Sequence, residues 1–248
     1  MPTKHATHWS YSAQECKNNL PHGLKNILEM HSQALPLEIT LGIDWYPAAR
    51  REARRIAADY NLPLLTVAKV ACALSPRLEW TDNMPAAESV IRYYLAGGYV
   101  PPIADYKECG GDKCLQRTIH TKPDQGVISE DPRLPQVFNR DGKAIAALKT
   151  NIVKALWILQ GHDWVLRGPK VNSFLDNITQ CELSDAVTVD SHAIQVWFGM
   201  VTPGTYSVPE NYYILIAADY KAAARTLGIT PEQLQAITWL TKKRLSGE

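Results

Sequence analysis

The chain carries no excess of either charge. Lys plus Arg total 26 and Asp plus Glu total 25 in 248 residues, a net charge of +1. That balance argues against a strongly basic tail that coats nucleic acid. It leaves room for a local patch, or for backbone amides, that grip it. No apolar run is long enough to span a bilayer, and residues 1–20 lack the apolar core of a signal peptide. Cysteine is scarce: five residues, an odd number at irregular spacing. This suits the reducing cytoplasm better than a disulfide framework. Internal repeats and low-complexity blocks are absent, and strand signals are few, with Val187-Thr188-Val189 the short exception. The remaining composition, 46% apolar and 21% charged, is ordinary for a globular protein. The length suits one large domain or two closely packed lobes.

Helical patterns fill most of the chain. Residues 47–60 open with Pro47 at a plausible first helical position and place arginines on one face. Residues 63–74 are apolar nearly all round, which predicts a buried helix, and Ser75-Pro76 ends it. Further helices are predicted over 84–95, 142–161, 170–180, 191–199, 212–226 and 231–244, with a Pro/Gly/Ser-rich connection at 202–211. Residues 99–142 break the pattern, with clustered prolines and glycines and little periodicity. Such a segment reads as a functional insertion or long loop. The chain is therefore expected to be all-α, or mainly so.

The stretch 168–197, GPKVNSFLDNITQCELSDAVTVDSHAIQVW, concentrates the chemistry. A glycine turn leads to Lys170 at the head of a helix, and Asp190 opens the next helix. Such a layout can bring an amine and a carboxylate to one pocket mouth. Arg167-Gly168-Pro169 can present backbone N–H groups to a phosphate at a helix N-terminus. Cutting an N-glycosidic bond needs these parts. The sugar gains oxocarbenium character as the base leaves, and a nearby carboxylate stabilises it and activates a nucleophile. The nucleophile is water or an amine that forms an imine with the sugar. The target base must first leave the duplex stack.

These residues resemble the core of the helix-hairpin-helix DNA glycosylases, whose motif runs glycine, any residue, lysine, helix, then valine-aspartate-any-histidine. Residues 64–76, LLTVAKVACALSP, and 148–161, LKTNIVKALWILQG, are similar to two earlier core helices, in the family's order. The resemblance covers about residues 64–198. It implies that Asp190 is the catalytic carboxylate. It places Lys170 where the bifunctional members, endonuclease III and the oxoguanine glycosylases, hold their nucleophile. It puts Arg167 and Gly168 on the phosphate, and Arg77, Leu78 and Trp80 where wedge residues fill the emptied stack. His192 and Asn172 are secondary candidates. The expected architecture is two helical lobes: 64–192 with the hairpin and the insertion at about 99–142, and 1–63 paired with 193–248. The implied partner is modified or damaged DNA. No cofactor is implied, and no iron–sulfur cluster, since no cysteine follows Cys181. The chain departs from the family at the hairpin, which reads Trp164-Val165-Leu166-Arg167-Gly168 and keeps only the second glycine of leucine-proline-glycine-valine-glycine.

Plainer readings accompany each residue. Asp190 is a favoured type of helix N-cap, Lys170 is a solvated first-turn lysine, and His192 is a hydrogen-bonding group. Cys109, Cys114 and His120 lack the second pair that a zinc site needs and read as loop. The arginines at 50, 51, 54 and 55 read as a solvated face with Glu52 and Asp59, and Trp45, Trp157 and Trp239 as packing residues. The function expected is excision of a modified or damaged base, leaving an abasic site, with strand cleavage where the lysine acts. The biological role is either base-excision repair or attack on modified phage DNA. The alternatives are a phage-type base-hypermodifying enzyme of the same fold and a non-catalytic DNA-binding protein.

Overall fold

A computed structural model describes residues 8–76, 78, 80–103, 132–202 and 204–248. Cys109, Cys114, His120 and most of the 99–142 segment lie outside the described residues. The fold is mainly helical, with ten α-helices and four very short strands among the described residues. The chain divides into two compact units, residues 1–49 with 168–248, and residues 50–167. This division differs from the expected lobes, because the lysine-bearing helix groups with the terminal segments.

The first unit contains β1 (His8–Ser10), α1 (Ala13–Asn19), α2 (Gly23–Ser32) and the start of α3 (Pro36–Asp59). The chain then passes through the second unit before it returns to the first. That second unit holds the end of α3, α4 (Leu64–Leu74), α5 (Trp80–Leu95), β2 (Val137–Phe138), β3 (Ala144–Ile145) and α6 (Lys149–Leu159). Returning to the first unit, α7 (Pro169–Gln180), α8 (Ser191–Trp197), β4 (Thr205–Ser207), α9 (Glu210–Leu227) and α10 (Pro231–Ser246) complete the chain.

Each helix follows from local signals. α3 starts at Pro36 rather than at Pro47, so Pro47 sits inside the helix. A proline there removes one backbone hydrogen bond and crowds the carbonyl four residues back. The helix runs through it because the turns on both sides are anchored, with Tyr46, Ala49, Ala53 and Ile56 all buried. α4 is buried nearly all round, as its sequence predicts, and packs on both α5 and α6. Each fully buried Val or Leu of α4 contributes roughly 1.5–3 kcal/mol. The predicted 142–161 helix begins only at Lys149. Upstream, β2 and β3 pair antiparallel around a turn in which the Asn139 Oδ1 accepts from the N–H groups of Asp141 (3.0 Å) and Lys143 (2.9 Å). In the 202–211 connection, β4 pairs in parallel with β1. Val187-Thr188-Val189 has no strand partner among the described residues.

The core of the first unit gathers Ile27 and Met30 of α2, Ile194 and Trp197 of α8, Ile216 and Tyr220 of α9, and Leu234 of α10. Trp197 fixes the packing. Its Nε1 donates to Asp219 (2.7 Å), and its carbonyl accepts from Asn19 (2.7 Å) and Asn26 (2.8 Å). α2 can approach the indole only because residue 23 is glycine: a Cβ there would lie 1.8 Å from Trp197 Nε1. Trp157 of the second unit is fully buried and donates to the Pro101 carbonyl (2.7 Å). Trp45 and Trp239 pack edge to face, with ring centroids 5.7 Å apart. Arg55 pairs with Glu52, Asp59 and Glu88, which fits the solvated-face reading of this arginine. No helix of the described residues is long and apolar enough to cross a membrane.

Candidate functional site

Gly168 is the hinge from which the site is built. Its φ of +104° and ψ of 148° form the N-cap of α7, a backbone shape that is essentially restricted to glycine. Pro169 then takes the first helical position, where its missing N–H costs nothing. The N–H groups of Lys170 and Val171, in the first turn, have no partner within the helix. Asn172 closes the turn by donating its N–H to the Gly168 carbonyl (3.1 Å), and its side chain is exposed. Lys170 is exposed and makes no side-chain hydrogen bond or ion pair among the described residues. A lysine in a first turn faces the positive end of the helix dipole, so it gains no stability from that position.

The inner face of α7 buries Phe174, Asn177 and Ile178. Asn177 anchors the connection to Asp190. Its Oδ1 accepts from the Ser184 hydroxyl (2.7 Å), and its Nδ2 donates to Thr188 Oγ1 (3.2 Å). The Tyr46 hydroxyl lies 3.1 Å from both Thr188 Oγ1 and Gln235 Oε1. These groups are buried, so each bond also avoids the cost of an orphaned polar atom. The network locks residues 184–189 and thereby sets where Asp190 emerges.

Asp190 is partly buried and caps α8: its Oδ1 accepts from the Ala193 N–H at 2.8 Å. Oδ2 has no hydrogen-bond partner among the described residues. Tyr213 of α9 ties the two candidate elements together. Its hydroxyl accepts from the Val189 N–H (3.1 Å) and lies 2.9 Å from the Val187 carbonyl and 3.3 Å from Ser173 Oγ. Ser173 is one helical turn after Lys170, and Val189 immediately precedes Asp190. Sequence reasoning missed Tyr213. Its only signal was a tyrosine near the start of a helix.

The surroundings are electrostatically coupled. Burial pushes the phenols of Tyr46, Tyr213 and Tyr220 up, and the charge of Asp190 adds to the shift in each. Burial pushes the His192 imidazole down, while Asp190 opposes it. His192 Nδ1 is buried without a hydrogen bond, 3.8 Å from Glu248 Oε2. Glu248 Oε1 accepts from Lys242, whose side chain is fully buried at 0% exposure. The Lys242–Glu248 pair was not foreseen, because a lysine in a helix otherwise rich in charge reads as surface.

Gly168, Lys170, Asn172, Asp190 and His192 thus belong to the first unit. Arg167 belongs to the second and is exposed, with Nε donating to the Trp164 carbonyl (2.9 Å) and its guanidinium 5.6 Å from that ring. Leu78 is half-buried, its N–H donating to Ser75 O (3.2 Å) in the turn after α4. Trp80 begins α5. Arg77 and the Trp80 side chain lie outside the described residues. No group of three or more His, Cys, Asp or Glu that could hold a metal ion occurs among the described residues.

The profile of DUF7178, a family of unknown function, matches residues 12–107 and 130–245, and the chain belongs to that family. The match covers every candidate residue and is interrupted only inside the irregular segment. No curated protein and no solved structure matches the chain.

Proposed function

We propose that this protein is a DNA glycosylase that removes a modified or damaged base and leaves an abasic site. The reading rests on the resemblance of the glycine-lysine-aspartate stretch to the helix-hairpin-helix glycosylases. The observation that carries it is the Tyr213 bridge, which links the first turns of the lysine-bearing helix to the residue before Asp190. Asp190 keeps Oδ2 unengaged, so one carboxylate oxygen is available to a sugar while the other caps α8.

In this reaction the bond between sugar C1′ and the base nitrogen breaks, and the base leaves with the bonding pair and takes up a proton. Positive charge grows on the sugar, and Asp190 stabilises it. Either water or the Lys170 amine then bonds to C1′. Water gives the abasic sugar directly. The amine gives an imine after ring opening, from which the DNA strand can be cut. The unpartnered N–H groups at the start of α7, shaped by Gly168, would hold a flanking phosphate. The role in the cell would be base-excision repair or attack on modified phage DNA.

One observation favours a second reading, a DNA-binding protein without catalysis: the Ala193 bond explains Asp190 as an N-cap alone. Release of free base from damaged or hypermodified DNA, detected by mass spectrometry, separates the two. Borohydride trapping of a covalent protein–DNA complex tests the lysine. Trapping of Lys170→Ala as efficiently as the wild type would remove Lys170 from the reaction.

A further inference from the structure

The second unit contains a cleft of about 830 Å³, within the range of small-molecule sites. It shares no residue with the Lys170 and Asp190 site. One wall is a stripe along α5, including Glu88, Ser89, Arg92 and Tyr93. The other is the hairpin at 135–142. Strand alternation divides the hairpin: Val137 is buried, while Phe138 faces the cleft and remains 39% exposed.

Ion pairs and hydrogen bonds fix the walls. Arg140 of the hairpin pairs with Glu52, and Arg55 joins Glu52 to Glu88. The Tyr93 hydroxyl donates to the Arg133 carbonyl and accepts from the Tyr99 N–H (2.8 Å). Two groups are left over. Arg92 is exposed to the cleft and has no ion-pair or hydrogen-bond partner among the described residues. Ser89 is only 6% exposed, lines the cleft and has no hydrogen-bond partner among them. Its hydroxyl is not shut away from solvent and can meet a ligand in the cleft.

Arg55, Arg140 and Arg92 together balance Glu52, Asp59 and Glu88, and of the two arginines that line the cleft only Arg92 stands outside this ion-pair network among the described residues. An unpaired guanidinium binds a planar or tetrahedral oxyanion through paired N–H groups. An exposed phenylalanine gives a ring a face on which to stack. Asn139 spends its Oδ1 on the turn, and Gln136 is exposed, so their amide groups can meet the polar edge of a base. We propose that this cleft binds a nucleotide, with phosphate on Arg92, base against Phe138 and Ser89 as a polar contact. The nucleotide is either free or part of a single strand.

The test is calorimetric titration of the full chain with the four deoxynucleoside monophosphates, thymidine, inorganic phosphate and a short oligothymidylate. At least one monophosphate should bind about tenfold or more tightly than thymidine or phosphate. Arg92→Gln and Phe138→Ala should each weaken it by about tenfold, since both side chains are exposed and can change without unfolding the chain. Binding of the oligonucleotide alone, lost in both variants, would place the nucleotide within a strand. Asp190→Asn should leave binding at this cleft unchanged, so failure here is separate from failure of the glycosylase reading. Absence of binding by every probe, or binding indifferent to both variants, would overturn the proposal.

Discussion

Tyr213→Phe removes one oxygen atom and tests how Asp190 is held. The hydroxyl makes one donated bond, to the Val187 carbonyl at 2.9 Å, and accepts one from the Val189 N–H at 3.1 Å. Each is worth about 0.5–1.5 kcal/mol net, so the pair contributes about 1–3 kcal/mol. Neither backbone group is orphaned by the change, because the Val189 N–H also reaches the Val187 carbonyl at 3.0 Å. The loss should therefore stay within that range. In a chain of this length about 1 kcal/mol corresponds to about 2–4 °C in melting temperature. A loss near 2 kcal/mol would lower the midpoint by about 4–8 °C. Urea and thermal unfolding measure it directly. Base release by the folded variant should fall as well, since the variant loosens the segment that delivers Asp190. Stability within about 0.5 kcal/mol of the wild type, with unchanged release, would refute the role of the hydroxyl.

Gly168→Ala should destabilise by about 1–3 kcal/mol in unfolding experiments, because the position needs a backbone shape that alanine resists. An added Cβ there meets nothing within 4 Å, so a large loss cannot be assigned to a clash. Glu38 is held below its ordinary value of 4.5 chiefly by its hydrogen bonds to Arg244. Its contribution to stability is therefore complete above that value and is lost as pH falls through the lower folded one. Glu38→Gln should weaken the protein at pH near 7, and the gap from the wild type should narrow as the pH falls below 4.5 in an acid unfolding series. A gap that persists unchanged in acid would contradict the pairing. Gly23→Ala should destabilise by about 1–3 kcal/mol or more through overpacking, read by thermal unfolding, since its Cβ would overlap the Trp197 indole.

The helices were legible where one apolar pattern met one clear stop, as in residues 63–74 before Ser75-Pro76. They are not legible at Pro47, which local rules read as a helix start. Pro47 lies within α3 because buried residues on both sides hold the helix together, which no local rule reports. The β2–β3 hairpin was readable from Asp141-Gly142, a strong turn signal that the following helical pattern masked. Lys170 and Asp190 were visible because each opens a helix at a short, marked spacing. What positions them was not. The Tyr46–Thr188 bond spans 142 residues, and the Tyr213 hydroxyl reaches back 40 residues to Ser173. Such pairings depend on tertiary packing rather than on pattern. The cleft beside Phe138 and Arg92 was hidden for the same reason, since its walls come from separate stretches of chain.

Asp190→Asn is the most direct test of the glycosylase reading. Asparagine caps a helix about as well as aspartate, so the fold should keep its stability to within about 1 kcal/mol. The negative charge that the proposed reaction places against the sugar is lost. Free base released from damaged and naturally hypermodified DNA should fall by about a hundredfold or more against the wild type. Release that matches the wild type in a stably folded Asp190→Asn variant, or no release from any DNA by the wild type, would contradict the account.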